Sequence, residues 1–296
     1  MGSKNIFNPG DVDTLWTEIE ALRGYGAKDV DRVLKKLVQG VSLDQPIYRI
    51  MPAKYFCDSV ENKRLLFVVP EKWDDPYEAA LLYGLQLEHH DADLAHTYKN
   101  AIVAQCWSVE KECDGLWRVY AKHIGNNGER VPYVQIQTTV RNFMLSILCW
   151  DDNRRTSGVL LGGSVAYTAS QEILGRMRTL ELCGFYGHAD GRLVKPHEVA
   201  EAYFIKRSAF KYEQEIRFVF IRGESFDGDI FQTCCSPLDA GEIFMPYNPK
   251  CIERVILDPW TSKSNDAEAQ RERISKMLPF AKVELSDLYQ SYICQS

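Results

Sequence analysis

Apolar residues in this chain gather in short runs, and helix-period segments interrupt those runs without any regular strand–helix–strand alternation. That pattern narrows the fold more than any other feature. The segments Ile47–Met51, Leu65–Val69, Ile102–Trp107, Val134–Thr138 and Val159–Thr168 read as strands. Ile216–Ile221, Ile243–Met245, Val255–Leu257 and Val283–Leu285 supply late strands. A short turn of helix separates the first two strands. Pro76 suits the first position of a long helix running through Leu81, Leu85 and Leu94 to about Tyr98. Further helices are predicted over Gly115–Lys122, over Phe143–Trp150, and around 170–182 and 196–204. Interspersed strands and helices of this kind predict an α+β fold with antiparallel neighbours, not a doubly wound sheet.

The first 45 residues carry two helical stripes, Val12, Leu15, Trp16, Ile19 and Leu22, then Val30, Val33, Leu34, Leu37, Val38 and Val41. They predict an N-terminal helical hairpin over 1–45, ahead of a main domain over 46–296. No apolar run approaches the ~18–20 residues of a membrane span. The opening Met1-Gly2-Ser3-Lys4 lacks the apolar core of a secretion signal, so a soluble, cytoplasmic protein with no membrane partner is expected. Nine cysteines, odd in number and without a C-x-x-C pair, fit neither a disulfide framework nor a zinc knuckle. The net charge of −6 argues against a long nucleic-acid track, while leaving room for local groups such as Lys206-Arg207 with Lys211.

Several constellations carry chemistry. In the apolar segment at Tyr48-Arg49, alternation puts the two side chains on opposite faces, and a guanidinium on a rigid strand suits either a pyrophosphate or a surface ion pair. Asp75 precedes Pro76 and can cap exposed amides, with Asp74 and Glu78 adding charge at the positive helix end. Trp117 and Tyr120 share a helical face after the strand ending Cys106-Trp107-Ser108, and either flank a planar heterocycle or belong to the core. His89-His90-Asp91 with Asp93 and His96 lacks metal-ligand spacing and reads as a solvated helix end, so no metal is expected. Ser208 to Arg217 leads into the strand Phe218–Ile221. Glu213 and Glu215, two apart, share one face if extended and repel unless a cation or reacting centre lies between them. Such a pair can stabilise an oxocarbenium-like sugar. Alternatively it lines an exposed edge strand with Lys211 and Arg217 as counter-charges.

Taken in order, Tyr48-Arg49, the Phe67-to-Glu78 block, Cys106-Trp107-Ser108, Trp117-Arg118-x-Tyr120, Tyr212-to-Arg217 and Val255-to-Pro259 resemble a bacterial defence-associated family of unknown function. That family looks like a divergent branch of the ADP-ribosyltransferases, and one member type it points to is the toxin of a phage-defence toxin–antitoxin–chaperone system. The resemblance implies a split, mostly antiparallel sheet with surrounding helices. It also implies NAD as ADP-ribose donor, and RNA (favoured), DNA or a protein as acceptor. An antitoxin protein is the implied partner. In that scheme Arg49 grips the pyrophosphate, and Tyr48, Trp117 or Tyr120 holds the nicotinamide. Glu215 stabilises the positive ribose, and Glu213 orients or deprotonates the acceptor. The middle motif position falls to Ser108 or Tyr167. A non-enzymatic nucleotide-sensing or binding module is the competing expectation.

Overall fold

The computed structural model describes residues 27–79, 102–121, 131–148, 158–180, 203–222, 241–264 and 266–289. The expected helix over 12–22, the continuation of the Pro76 helix past residue 79, the His89–His96 group and residues 196–202 of the helix expected around 196–204 lie outside the described residues.

In chain order the elements begin with α1 (Ala27–Leu37), β1 (Val38–Gln39), β2 (Pro46–Pro52), α2 (Ala53–Glu61) and β3 (Arg64–Val68). Next come β4 (Ile102–Ser108), α3 (Asp114–Tyr120), β5 (Tyr133–Thr139) and α4 (Val140–Leu148). Then follow β6 (Gly158–Ser164), β7 (Ala166–Thr168), α5 (Ser170–Leu180), β8 (Ile205–Arg207), β9 (Glu215–Arg222) and β10 (Glu242–Pro246). The last are β11 (Arg254–Leu257), α6 (Ala267–Met277) and β12 (Lys282–Leu285). The result is a mixed α/β architecture with a large, mostly antiparallel sheet.

The chain divides into two compact units, and the division differs from the expected 1–45 and 46–296. The first unit takes Met1–Leu43, Leu66–Cys106 and Asp151–Met245; the second takes Asp44–Leu65, Trp107–Trp150 and Pro246–Ser296. In its described part, the segment before residue 46 carries α1 followed by β1. The helical stripe expected through Val41 stops at Leu37. Gly40 takes a left-handed φ of 69°, which L side chains rarely adopt. Val38 and Gln39, just before it, pair in parallel with Gly162 and Gly163 of β6.

Within the first unit β6 and β9 run antiparallel from Gly158↔Arg222 to Ser164↔Ile216, and β9 adjoins β4. Strand β3 pairs antiparallel with β4 at Val68↔Ala104 and carries β10 on its other side. Consecutive residues Phe218, Val219 and Phe220 are all buried, so β9 is covered on both faces and its run of apolar residues reads as continuous. The strand expected over Val159–Thr168 breaks at Val165, whose N–H donates to the Glu215 carbonyl. After the break, β7 leaves β9 and pairs in parallel with β8.

In the second unit β5 lies between β2 and β11, antiparallel to both, and β12 adds in parallel to β11. Ser108, at the end of β4, pairs with Tyr48. Helix α2 buries Phe56 and Val60, and Trp107 meets Phe143 of α4 edge-on at 5.0 Å. Asp258 is a buried anchor: its carboxylate accepts from the Tyr133, Trp260 and Thr261 amides and from the Thr261 hydroxyl, all at 2.5–3.0 Å. The closing Leu257-Asp258-Pro259 block is therefore explained by architecture alone. No described helix is long and apolar enough to cross a membrane.

Candidate active site

The two glutamates singled out by the sequence lie together in the first unit, though not through strand alternation. Ser208–Glu213 is a 3-10 turn, and Gln214 after it takes left-handed backbone with φ 43° and ψ 57° before β9 begins at Glu215. The shared-face geometry expected of an extended segment is absent. Lys206 on β8 brings the carboxylates together instead. Its ammonium donates to Glu213 Oε2 at 2.7 Å and to Glu215 Oε2 at 3.0 Å, and stands 3.3 Å from Glu78 Oε1.

Arg217, on the same face of β9 as Glu215, completes the cluster at 0% exposure. Its Nε donates to Glu215 Oε1 at 2.7 Å and its Nη2 to Glu215 Oε2 at 3.1 Å. Nη2 also bonds Glu78, and Nη1 donates to the Tyr203 carbonyl at 2.7 Å. The guanidinium stacks on Trp73 at 4.4 Å. A buried arginine is tolerable when its planar fork is satisfied in this way. The edge-strand alternative, with Lys211 and Arg217 as exposed counter-charges, gives way to a buried network in which Lys206 and Arg217 face Glu78, Glu213 and Glu215. Among the described residues the cluster sets three carboxylates against two cations.

Burial would raise the Glu215 carboxyl, but the Arg217 guanidinium and then the Lys206 ammonium overcome it and bring it down to about 2. Glu78 goes the other way. Burial raises it, and Glu215 reinforces the rise, against the pull of Arg217 and Lys206. Burial alone would lower Lys206, yet Glu215 and Glu78 hold it protonated well above the ordinary lysine range. The Cys106 thiol bonds Glu215, and burial followed by the Glu215 charge drives it far up, so it stays a neutral donor.

Neither the known protein families nor the curated proteins contain a match to this sequence.

The remaining predicted site residues fall as follows. Tyr167 on β7 meets the site directly, because the Glu215 N–H donates to its hydroxyl at 2.8 Å. Burial raises that phenol to about 12, so it is neutral at physiological pH. Ser108, Tyr48, Arg49, Trp117 and Tyr120 belong to the second unit. There Ser108 pairs with Tyr48, and Tyr48 and Arg49 point to opposite faces of β2 as alternation predicts. Arg49 pairs with buried Ile136 of β5. Trp117 requires a correction: its ring, at 0% exposure, sits in a core cluster with Ala121 and Tyr133, against Ile50, Val131, Trp260 and Leu288. Its Nε1 donates to Glu112. It is structural, and the aromatic that α3 offers outward is Tyr120 at 40% exposure.

The sequence reading missed Lys206 and Glu78 as site members. Asp75 does cap as expected, accepting from the Tyr77 amide at 3.1 Å, but it also holds Arg207. Arg207 in turn lies over Tyr77 and Phe210. A signal was present in the adjacent charges Lys206-Arg207, which pair separately with the two acids Glu78 and Asp75. Among the described residues no group of His, Cys, Asp and Glu is arranged to hold a metal ion.

Proposed function

We propose that this chain is an NAD-dependent ADP-ribosyltransferase in which Glu215 is the carboxylate that stabilises the ribose cation. The acceptor is a nucleic acid, RNA first, or a protein; a toxin role in phage defence, with a neutralising protein partner, goes with the resemblance described above. The observation that supports the reading is the setting of Glu215, a carboxylate buried on β9 and bonded by Arg217 and Lys206. Its carboxyl, at about 2, is an anion at every physiological pH, fixed on a strand and shielded from water. A carboxylate charge in a low-dielectric site stabilises a developing cation, an effect typically worth ~10²–10³ in rate for one group.

As NAD loses nicotinamide, positive charge develops on its ribose, and Glu215 accepts a hydrogen bond from a ribose hydroxyl. Arg217 keeps the Glu215 carboxylate in one orientation through two bonds. Tyr167 fixes the backbone from which it projects. Lys206 holds Glu215 Oε2, and its withdrawal frees that oxygen for substrate. Glu213, released by the same movement, is the base for the acceptor.

A second reading, a non-enzymatic nucleotide-sensing or binding module, is favoured by one observation. The ammonium of Lys206 already occupies the position between Glu213 and Glu215 that a reacting sugar would take. At 3% exposure, Glu215 is then an architectural ion-pair partner. Incubation with labelled NAD and cell lysate separates the two. Transfer predicts free nicotinamide and a label removed by nuclease or protease, whereas a binding module predicts NAD retained intact.

A further inference from the structure

The second unit ends on an open strand edge. β12 pairs in parallel with β11, and among the described residues no strand lies beyond it. The Lys282 N–H donates to the Glu253 carbonyl at 2.9 Å, so the backbone groups of Lys282 and Glu284 face β11. Those of Val283 and Leu285 face away, and a row of outward N–H and C=O groups is a template for another strand. A lysine on an edge ordinarily discourages such pairing. Here it is matched by an acid two residues on. Lys282 and Glu284 share one face and form an ion pair, with Arg254 also 3.2 Å from Glu284. The Lys282 side chain nevertheless remains 65% exposed.

We propose that β12 pairs antiparallel with β12 of a second copy of this chain, about a two-fold axis at Val283. A two-fold antiparallel pairing must place one residue opposite itself. Centred on Lys282 or on Glu284, it opposes like charges. Centred on Leu285, it sets both charges opposite uncharged residues. Centred on Val283, it exchanges the outward N–H and C=O of Val283 with those of the partner's Val283. The same register sets Lys282 opposite Glu284 of the partner subunit, and the two-fold repeats that contact. Opposite charges directly across a strand pair attract, and like charges repel. The strand is therefore complementary to itself in that one register. Four paired residues bury little area, so the dimer is weak, with Phe280, 47% exposed and just before the strand, as nearby apolar surface. The pairing is independent of the chemistry assigned to Glu215.

The test is sedimentation velocity of the full chain at rising concentration, up to ~0.5 mM, where weak interfaces associate. The proposal expects wild type to pass from monomer to dimer. Lys282→Glu and Glu284→Lys, each verified as folded by a thermal melt, are each expected to associate about tenfold more weakly, because either variant alone opposes like charges at both contacts. An equal mixture of the two variants is expected to regain dimer to within about threefold of wild type, because the mixed pair sets two glutamates against two lysines. Damage within either chain would not be repaired by mixing. The proposal is overturned if wild type stays monomeric throughout, if the single variants dimerise as wild type does, or if mixing them restores nothing.

Discussion

At the scale of single residues, Lys206 determines how the candidate site behaves, since one ammonium lies within 3.3 Å of three carboxylates. Removing one partner from a buried ion network strands the others. Lys206→Met is therefore expected to lower unfolding free energy by ~3–5 kcal/mol in urea denaturation. Glu215 gives a pH signature. Its folded pKa of about 2 lies below its ordinary 4.5, so its stabilisation is present above 4.5 and is lost as pH falls toward 2. Glu78, with a raised pKa, opposes this: its share favours the fold below 4.5 and fades as pH rises through its folded value. The Glu215 share is on the order of 3 kcal/mol, so Glu215→Gln should flatten the acid limb between urea midpoints at about pH 3 and about pH 6. An unchanged limb would mean that Glu215 is not held ionised by its partners. Glu213 and Glu215 stood out in the sequence because like charges two apart call for a compensating group. Lys206 and Glu78 did not, because Glu78 joins the cluster across more than a hundred residues of chain and no local spacing rule connects them.

At the scale of elements, short strands were legible wherever apolar residues alternate or run together, as in β2, β5, β9 and β11. Elements with little apolar content were not. Helix α6 buries only Ala267 and Ile274, too few to produce a visible stripe, and β8 is three residues long. The stripe at Val38 misled because burial in a strand and burial in a helix call for the same residue types. Gly40 makes the difference there. A Cβ on it would lie 2.3 Å from Ser164 Oγ, on top of the strain of φ 69°. Gly40→Ala is expected to cost ~1–2 kcal/mol or more, read as a lowered melting temperature. Asp258→Ala removes four hydrogen bonds that tie β5 to the Trp260–Thr261 turn, for an expected loss of ~3 kcal/mol in denaturant. A neutral result would show that the turn holds without its carboxylate anchor.

At the scale of the whole molecule, the two units are interleaved in sequence. The chain passes from one to the other after Leu43, Leu65, Cys106, Trp150 and Met245. An interleaved division of this kind is not legible from a change of pattern along the chain, since composition does not record which distant strands will pair. Ending the chain at residue 245 removes β11, α6 and β12 and leaves β5 without its partner on one side. That fragment is expected to lack cooperative unfolding by circular dichroism, and a sharp transition would mean that the second unit does not need its C-terminal strands. The account as a whole rests on Glu215 acting on a substrate cation. The most direct measurement is nicotinamide release from NAD by wild type and by Glu215→Gln, each shown by circular dichroism to be folded. The expected result is release by wild type and a drop of ~10²-fold or more in the variant. Equal release by the two folded proteins would contradict it.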